Sequence, residues 1–353
     1  MPTKAHANSD MSALVKTAPG SGNLALMRYP VPSIEDHEVL IRIRAAGICG
    51  TDVHIKHDTF PNYPPVVLGH EFSGELAEIG SAVEGWSVGD RIVAQPHKGG
   101  CGVCRYCMTG QVEICRDKRA IGYKIDGVMA EYVSLPASSL HRIPDALSFE
   151  KAALAEPLAV CVKAVAERAK VEPGDHVVVL GCGAIGLLAA AVAKASGAAR
   201  VIVTGTERDL TLRLPIAEAM GMDASFNVQS GSLAEFVRKR RPDGADLVIE
   251  ASGAPAAIGQ AFDLVRRSGR ICAIGLTAGD TVTVPWSKAI HEQVSIIASY
   301  SSNWTSWEAA IAMLVSGAVD VTPLISGRYP LSDYETAFDT LENHEAVKNL
   351  LLP

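Results

Sequence analysis

Residues 176–205, HVVVLGCGAIGLLAAAVAKASGAARVIVTG, constrain the possible folds of this chain more than any other stretch. They read as a buried strand, a glycine-rich turn, an alanine-rich helix and a second buried strand. Gly181, Gly183 and Gly186 give the turn the spacing G-x-G-x-x-G. In this context the glycines allow a tight turn, the approach of a pyrophosphate to the backbone, and close packing of helix on strand. The segment therefore predicts a parallel βαβ unit that binds a dinucleotide, with a purely structural turn as the alternative.

Further apolar runs extend this unit into a doubly wound parallel sheet. The segments ADLVIEASG, GRICAIGL and VSIIASYS are continuous apolar strands, as expected where helices cover both faces of a sheet. The first part of the chain differs, because LIRIRAAGIC, VGDRIVA and MAEYVSLP look like short strands separated by turn residues. The sequence thus predicts an α/β protein with a β-rich part before a nucleotide-binding part.

Four of the eight cysteines fall within fifteen residues, with the spacing C-x2-C-x2-C-x7-C. In a reducing compartment such clusters are more often metal ligands than disulfides. Four thiolates can converge on one tetrahedral Zn²⁺ and leave no position open for a substrate, which makes the site structural. We therefore predict a structural zinc at Cys101, Cys104, Cys107 and Cys115, with unrelated buried or free thiols as the alternative.

A second set of metal-binding residue types lies in the segments GICGTDVH, GHE and AEPLAV. Cys49, His70, Glu71 and Glu156 are ligand types used by catalytic zinc. Three protein ligands leave a fourth position for water or substrate. The sequence therefore predicts a catalytic zinc in addition to the structural one.

Together these motifs resemble the zinc-dependent medium-chain alcohol dehydrogenase superfamily, on its sorbitol, polyol and threonine dehydrogenase side. The motifs GICGTDVH, GHE, the four cysteines, AEPLAV and VLGCGAIG stand in the order of that family, over nearly the whole chain past about residue 12. The resemblance implies a GroES-like β-rich catalytic domain and a Rossmann domain, with the active site in the cleft between them. The boundaries we expect are a tail at 1–10, a GroES-like domain at 11–160 with a zinc lobe at 97–118, a Rossmann domain at 161–298 and a C-terminal segment at 299–353 that completes the catalytic domain.

The resemblance also assigns roles to single residues. It implies that Cys49 and His70 bind zinc, and that either Glu71 or Glu156 binds the metal directly or holds its water. Primary-alcohol dehydrogenases of the family have cysteine in place of Glu156, so a glutamate there favours the polyol and secondary-alcohol branch.

Three residues near Cys49 are expected to support the chemistry. Thr51 and His54 match the family's proton relay, and histidine has a suitable pKa for that task. Asp52 is expected to orient His70. The alternatives are an ordinary polar histidine at the end of a strand and a structural turn aspartate.

The end of the second strand of the βαβ unit governs the choice of cofactor. An acid there would bind the ribose hydroxyls and repel a 2′-phosphate, but the chain reads VIVTGTERD, with Gly205 in that place. Arg208 could clamp a 2′-phosphate, which favours NADP slightly, whereas Glu207 could bind a ribose hydroxyl. We expect the cofactor to contact Gly181, Gly183, Ile185, Gly186, Gly205, Thr206, Arg208 and Leu276.

The expected activity is hydride transfer between a polyol or another secondary alcohol and NAD(P), with one catalytic and one structural zinc. L-Threonine 3-dehydrogenase activity is the alternative within the same superfamily. A non-catalytic nucleotide-binding relative is the alternative of another class, and the presence of Cys49, His70, Glu71 and Glu156 disfavours it.

Composition restricts the partners and the location. The chain has 32 basic and 39 acidic residues, a net charge of −7, which argues against nucleic acid and anionic membranes as partners. The longest apolar stretch, near residues 185–195, is too short to span a bilayer, and the N-terminal residues contain no apolar signal core. We expect a cytoplasmic enzyme with a small-molecule alcohol substrate, and the resemblance implies a homodimer or homotetramer.

Overall fold

Two structural units make up residues 9–279 and 281–353, the part of the chain that the computed structural model describes. The first unit contains the described residues up to Glu156, together with Asn303–Val315 and Ile325–Pro353. The second contains Pro157–Ser302 and Ser316–Leu324. The expected tail, residues 1–10, lies outside the described residues except for Ser9 and Asp10, and the first strand begins at Asp10.

Strands dominate the first unit. They are β1 (Asp10–Lys16), β2 (Leu24–Pro30), β3 (Glu38–Gly47), β4 (Val66–Val67), β5 (Glu71–Ile79), β6 (Arg91–Ala94), β7 (Tyr132–Pro136), β8 (Leu140–Arg142), β15 (Ile325–Pro330) and β16 (Lys348–Leu352). One sheet has the order β15-β16-β3-β5-β6-β8, with β7 also paired to β3, and a smaller sheet has the order β2-β1-β4. The alternating pattern of β3 buries Val39, Ile41 and Ile43 in a core that includes Phe72 and Leu135.

Short helices connect these strands. They are α1 (Gly50–Lys56), α2 (Arg105–Met108), α3 (Phe149–Ala153), α10 (Trp304–Ser316) and α11 (Tyr334–Glu342). Another helix, α4 (Ala155–Val162), begins at the end of this unit, and most of its residues belong to the second. The residues after Cys49 form α1 and do not continue a strand, because Cys49 adopts an extended conformation and begins the helix as its N-cap. The chain continues from α4 as a π-helix, Lys163–Arg168.

The second unit is a Rossmann domain. Its strands are β9 (His176–Leu180), β10 (Arg200–Gly205), β11 (Ala224–Asn227), β12 (Ala245–Glu250), β13 (Val265–Ala273) and β14 (Ser295–Ala298). They are all parallel and follow the order β11-β10-β9-β12-β13-β14, the doubly wound order that the glycine-rich segment predicts. The helices are α5 (Ala184–Ala195), α6 (Arg213–Ala219), α7 (Leu233–Arg238), α8 (Pro255–Leu264) and α9 (Trp286–His291). In such a sheet ligands bind beyond the carboxyl ends of the strands, where the glycine-rich turn lies.

Within residues 9–279 and 281–353, no helix has both the length and the apolar character needed to cross a bilayer.

Candidate active site

The glycine-rich turn of the Rossmann domain joins β9 to α5 and leaves space for a phosphate. Gly181 has φ +103°, which a residue with a side chain rarely adopts. Gly183 is the N-cap of α5, and a Cβ built on it meets no atom within 4 Å. Gly186 packs against the Gly181 carbonyl so closely that a Cβ there would overlap it. The N–H groups at the start of α5 are therefore accessible to an anionic group, as a dinucleotide requires.

The remaining expected cofactor residues lie at the carboxyl edge of the same sheet or beside it. Gly205 ends β10, and Thr206 and Arg208 are exposed immediately after it. Ile185 is half-buried in the first turn of α5, and Leu276 is exposed in the loop after β13. Sequence reasoning did not single out Asp209, which is buried behind this loop and accepts hydrogen bonds from the backbone and the side chain of Thr206.

In the first unit, the structure brings Cys49, His70 and Glu71 together. Their ligand atoms, one from each side chain, all lie within 4.8 Å of one another. Burial by itself lowers the pKa of His70, but the negative charges of Cys49, Asp52 and Glu156 raise it well above its ordinary value. A thiol, an imidazole and a carboxylate, with excess negative charge around them, form a donor set that fits catalytic zinc.

Local hydrogen bonds of Asp52 position two of these ligands. Its buried carboxylate accepts one hydrogen bond from the backbone N–H of Cys49, at 2.8 Å, and another from that of Gly69, at 3.2 Å. It therefore joins the start of α1 to the residue before His70. Asp52 Oδ1 lies 3.9 Å from His70 Nδ1, which is longer than a hydrogen bond, so its direct effect on His70 in this structure is electrostatic.

A buried ammonium group lies beside the cluster, and no local pattern in the sequence indicates it. Lys348, at the start of β16, donates to both carboxylate oxygens of Glu71, at 2.9 and 2.7 Å, and to the carbonyl of Ile48. Lys348 is 3% exposed and Glu71 is 1% exposed. Burial lowers the pKa of an amine, but the charges of Glu71 and Cys49 hold the pKa of Lys348 above its ordinary value. Lys348 therefore stays charged and compensates Glu71.

Glu156 lies near the cluster but outside the 4.8 Å group. Burial raises the pKa of Glu156 to about 7, and the charge of Glu71 adds to the effect while that of His70 opposes it. Of the expected relay residues, Thr51 has its hydroxyl 3.7 Å from the sulfur of Cys49. His54 is exposed on α1, and its Nδ1 lies 3.0 Å from the hydroxyl of Thr59.

The four clustered cysteines also come together. The sulfurs of Cys101 and Cys115 are 3.7 Å apart, those of Cys104 and Cys115 are 3.8 Å apart, and all four lie within 4.8 Å. Backbone N–H groups of Val103 and Cys104 lower the pKa of Cys101 to about 7. This closed set of four sulfurs fits one tetrahedral zinc ion.

A Rossmann domain and a β-rich unit that groups Cys49, His70 and Glu71 are features of a zinc-dependent dehydrogenase. Comparison with known families gives the same class. Residues 35–145 match the alcohol dehydrogenase GroES-like domain, and residues 184–316 match the zinc-binding dehydrogenase family.

Individual relatives match over almost the full chain. Sorbitol dehydrogenase of Halalkalibacterium halodurans is 38% identical over 97% of this chain and 99% of its own length. D-arabitol-phosphate dehydrogenase of Enterococcus avium is 36% identical over 97% of each chain. A crystal structure of a zinc-binding dehydrogenase from Sinorhizobium meliloti 1021 bound to NADP has a TM-score of 0.91 and 31% identity, covering 98% of this chain and 100% of the other. The chain belongs to the zinc-dependent medium-chain dehydrogenase superfamily, and it is an oxidoreductase of the zinc- and NAD(P)-dependent type.

Proposed function

We propose that this enzyme oxidises a polyol or another secondary alcohol to the ketone by transferring hydride to NAD(P)⁺, and that it reduces the ketone with NAD(P)H in the reverse direction. The observation that carries the proposal is the Cys49–His70–Glu71 cluster in a chain that also contains a Rossmann domain. The named activities of the sorbitol and D-arabitol-phosphate dehydrogenases support a polyol substrate. We assign the metal chemistry to the GroES-like domain, 11–160, completed by 299–353, and cofactor binding to the Rossmann domain, 161–298.

The residues of the cluster have separate tasks in this proposal. Cys49, His70 and Glu71 would hold a catalytic zinc, which when bound lowers the pKa of a hydroxyl group. Glu156, whose pKa burial raises to about 7, is a nearby carboxyl group that can exchange a proton near neutral pH or take over a ligand position. In the proposed relay, the Thr51 hydroxyl, close to the sulfur of Cys49, accepts the substrate proton and releases its own towards solvent, where His54 on the exposed side of α1 takes it up.

NADP is the cofactor we favour. Gly205 leaves no acidic side chain at the end of β10, and Arg208 is exposed three residues later, where its guanidinium can pair with a 2′-phosphate. Asp209, the nearest buried acid, is turned towards Thr206. The NADP in the S. meliloti structure is consistent with this preference.

A second zinc ion at Cys101, Cys104, Cys107 and Cys115 would be structural. Residues 97–118 contain the four-residue helix α2 and one 3₁₀ turn, Val112–Ile114, so little regular structure holds this lobe together. The thiols of both clusters need a reducing compartment, which supports a cytoplasmic location.

The enzyme is expected to be a homo-oligomer, and the edge strand β14 is the surface we favour for the contact between copies. Exposed apolar side chains lie on this strand and on the segments just before and after it, namely Trp286 and Ile290 on α9, Ile296 on β14, and Tyr300 after β14. An apolar edge strand left uncovered is an aggregation hazard, which pairing between two copies removes.

Initial rates at 340 nm test the activity. NAD⁺ and NADP⁺ are each offered with polyols, 2,3-butanediol, simple secondary alcohols and L-threonine, before and after treatment with a chelator, and the zinc content is measured by elemental analysis. We expect NADP-linked turnover of a polyol or secondary alcohol, loss of turnover with the chelator, and two zinc ions per chain, one for each cluster.

Two results would replace the proposal. Turnover of L-threonine alone would assign L-threonine 3-dehydrogenase activity. Cofactor binding without turnover of any alcohol, in protein that contains zinc in both sites, would indicate a nucleotide-binding protein that has lost the chemistry.

A further inference from the structure

The end of β10 is closed to any side chain at position 205. A Cβ built on Gly205 would lie 2.7 Å from the sulfur of Cys182, 2.9 Å from Cβ of Asp209 and 3.1 Å from Oδ2 of Asp209. Carbon and sulfur atoms do not approach so closely without movement of one partner. Gly205 does not have a positive φ, so crowding, and not backbone conformation, restricts the position to glycine.

Asp209 cannot move away easily, because its carboxylate is held on several sides. The side chain is buried and accepts hydrogen bonds from the backbone N–H of Thr206, at 2.8 Å, and from the Thr206 hydroxyl, at 2.9 Å. Arg213 lies 3.4 Å from its other oxygen. Burial raises the pKa of a carboxyl group, but the hydrogen bonds from Thr206 and the charge of Arg213 hold the pKa of Asp209 below its ordinary value.

The same contacts decide what Asp209 offers to a cofactor. Its oxygens are taken by Thr206 and Arg213, so they are not available to ribose hydroxyls. Because Arg213 compensates its charge, Asp209 also repels a nearby phosphate less than a free carboxylate would. An acid is thus present near the end of β10 without acting as the ribose-binding acid.

Cys182 closes position 205 from the other side. It lies between Gly181 and Gly183 in the glycine-rich turn, is buried, and its sulfur faces position 205 opposite Asp209. Burial, together with the charge of Asp209, raises the pKa of this thiol to about 12, so it stays neutral in place. The glycine-rich turn and the loop after β10 are therefore coupled through Cys182 and Asp209.

We propose that the Cys182–Asp209 pair determines cofactor specificity, because it excludes from position 205 the acidic residue that would bind the adenosine ribose and repel a 2′-phosphate. The inference rests on the proposed binding of NAD(P) by the Rossmann domain. It predicts that an acid at 205 alone cannot create an NAD site. Removing the sulfur of Cys182 relieves the shortest contact and leaves the new side chain space to shift away from Asp209, which stays in place on the opposite side.

A double-mutant cycle tests this coupling. The dissociation constants of NADH and NADPH are measured by fluorescence titration for the zinc-loaded full chain, Cys182→Ala, Gly205→Asp and the double variant. We expect Gly205→Asp alone to weaken NADH binding tenfold or more, and NADPH binding at least as much. In the Cys182→Ala background, Gly205→Asp should raise the dissociation constant of NADH less than twofold. It should also change the ratio of the NADPH to the NADH dissociation constant tenfold or more in favour of NADH.

The matched control uses Cys272→Ala in place of Cys182→Ala. Cys272 is another buried cysteine of the same unit, on β13, where its thiol hydrogen-bonds to the carbonyl of Ala164. Cys272→Ala should not rescue Gly205→Asp. Where the aspartate variant fails to fold, Gly205→Ala takes its place, and its lowered melting temperature should recover in the Cys182→Ala background only.

The outcomes separate this inference from the proposed function. Equal effects of Gly205→Asp with and without the Cys182→Ala substitution, or a switch to NADH by Gly205→Asp alone, would overturn the role of the pair. Equal affinity of the unmodified enzyme for NADH and NADPH would overturn the proposed preference for NADP, while the comparison of the two backgrounds would still report on the pair.

Discussion

At the scale of single residues, the ion pair of Lys348 with Glu71 distinguishes this site from a plain set of zinc ligands. Two oppositely charged groups that are almost fully buried must compensate each other, because desolvation of either charge alone is costly. Removing one partner of such a pair typically destabilises a protein by about 3–5 kcal/mol. A zinc ion beside Glu71 would supply a second compensating positive charge. The stability of the pair and the binding of zinc are therefore expected to be linked.

Replacing Lys348 by methionine tests this link. Without the ammonium group Glu71 is left uncompensated, so the zinc-free K348M variant should lose about 3–5 kcal/mol of unfolding free energy. Zinc should restore part of that loss, so its stabilising effect should be larger in K348M than in the unmodified protein. Urea denaturation with zinc and with a chelator measures both quantities.

Lys16→Met is the matched control. Lys16 is also buried in the first unit, but it donates to the carbonyls of Gly20, Gly22 and Lys56. That variant should be destabilised, but zinc should raise its free energy of unfolding by as much as it does in the unmodified protein. If zinc raised the free energy of unfolding equally in K348M and the unmodified protein, Lys348 would not act on the metal site.

Sequence reasoning found the residues whose spacing is itself informative. Four regularly spaced cysteines, and a histidine followed directly by a glutamate, are visible as patterns, and the structure brings the members of each set together. Lys348 is 277 positions from Glu71 and sits in an ordinary apolar strand, VKNLLL, so no local pattern marks it. The sequence does not mark Asp209 either, because an acid four residues beyond β10 has the pattern of an exposed loop residue, and only the structure shows that it is buried.

At the scale of secondary-structure elements, α10 packs onto β8 through two tryptophans. The ring of His141 lies 4.1 Å from that of Trp304 and 5.4 Å from that of Trp307, measured between centroids, and it is nearly parallel to the second. Burial of His141 in this contact lowers its pKa to about 4. The packing therefore requires a neutral imidazole.

This packing predicts a specific loss of stability in mild acid. The folded-state pKa of His141 lies below the unfolded value of about 6.5, so its neutral form contributes fully above that pH. The contribution is lost as the pH falls from about 6.5 towards 4, since the unfolded chain binds the proton first. Between pH 7 and pH 5, the contribution of His141 to the free energy of unfolding should fall by about 2 kcal/mol.

His141→Phe keeps an aromatic ring in the contact and removes the titrating nitrogen. The free energy of unfolding is measured by urea denaturation at pH 7 and pH 5. Its decrease between the two pH values should be about 2 kcal/mol smaller for the variant than for the unmodified protein. Burial also lowers the pKa of His97 to about 4, but His97 titrates in both proteins and cancels in the comparison. Parallel decreases in the two proteins would contradict the role of His141.

Long periodic elements were predictable from sequence and short ones were not. The run of small apolar residues at 184–195 forms α5, and the continuous apolar strands of the second unit pair in parallel as expected. The seven-residue α1 was missed because its N-cap is a cysteine held by Asp52, which is outside the usual set of capping residues. The π-helix at Lys163–Arg168 follows α4 without a break in the apolar pattern, so periodicity alone could not separate the two.

At the scale of the whole molecule, the strand order of the second unit follows from connectivity. Right-handed crossovers between parallel strands allow few arrangements of six strands around a glycine-rich first turn, so the doubly wound order was predictable. The same order leaves β14 at one edge of the sheet. No local sequence pattern says whether a second copy pairs with that edge, because such pairing depends on the surface of another molecule.

The proposed contact between copies through β14 leads to the last prediction. Ile296 is 44% exposed in the middle of this strand, and a stable dimer interface buries about 1,200–2,000 Å² with an apolar centre. Ile296→Lys would place a charge in that centre, where it loses its hydration without gaining a partner. Light scattering after size-exclusion chromatography should then show the unmodified enzyme as a dimer or tetramer of the 37.2 kDa chain and the variant as a smaller species.

Val88→Lys is the control for this substitution, because Val88 is an exposed apolar residue in a loop of the first unit. It should leave the mass unchanged. An unmodified enzyme that is monomeric would exclude the oligomer itself, whereas an Ile296→Lys variant with unchanged mass would exclude β14 as the contact. Because the pairing of two edge strands also uses backbone groups, the masses are compared over a range of protein concentrations. Dissociation of the variant at a higher concentration than the unmodified enzyme would also support the proposed interface.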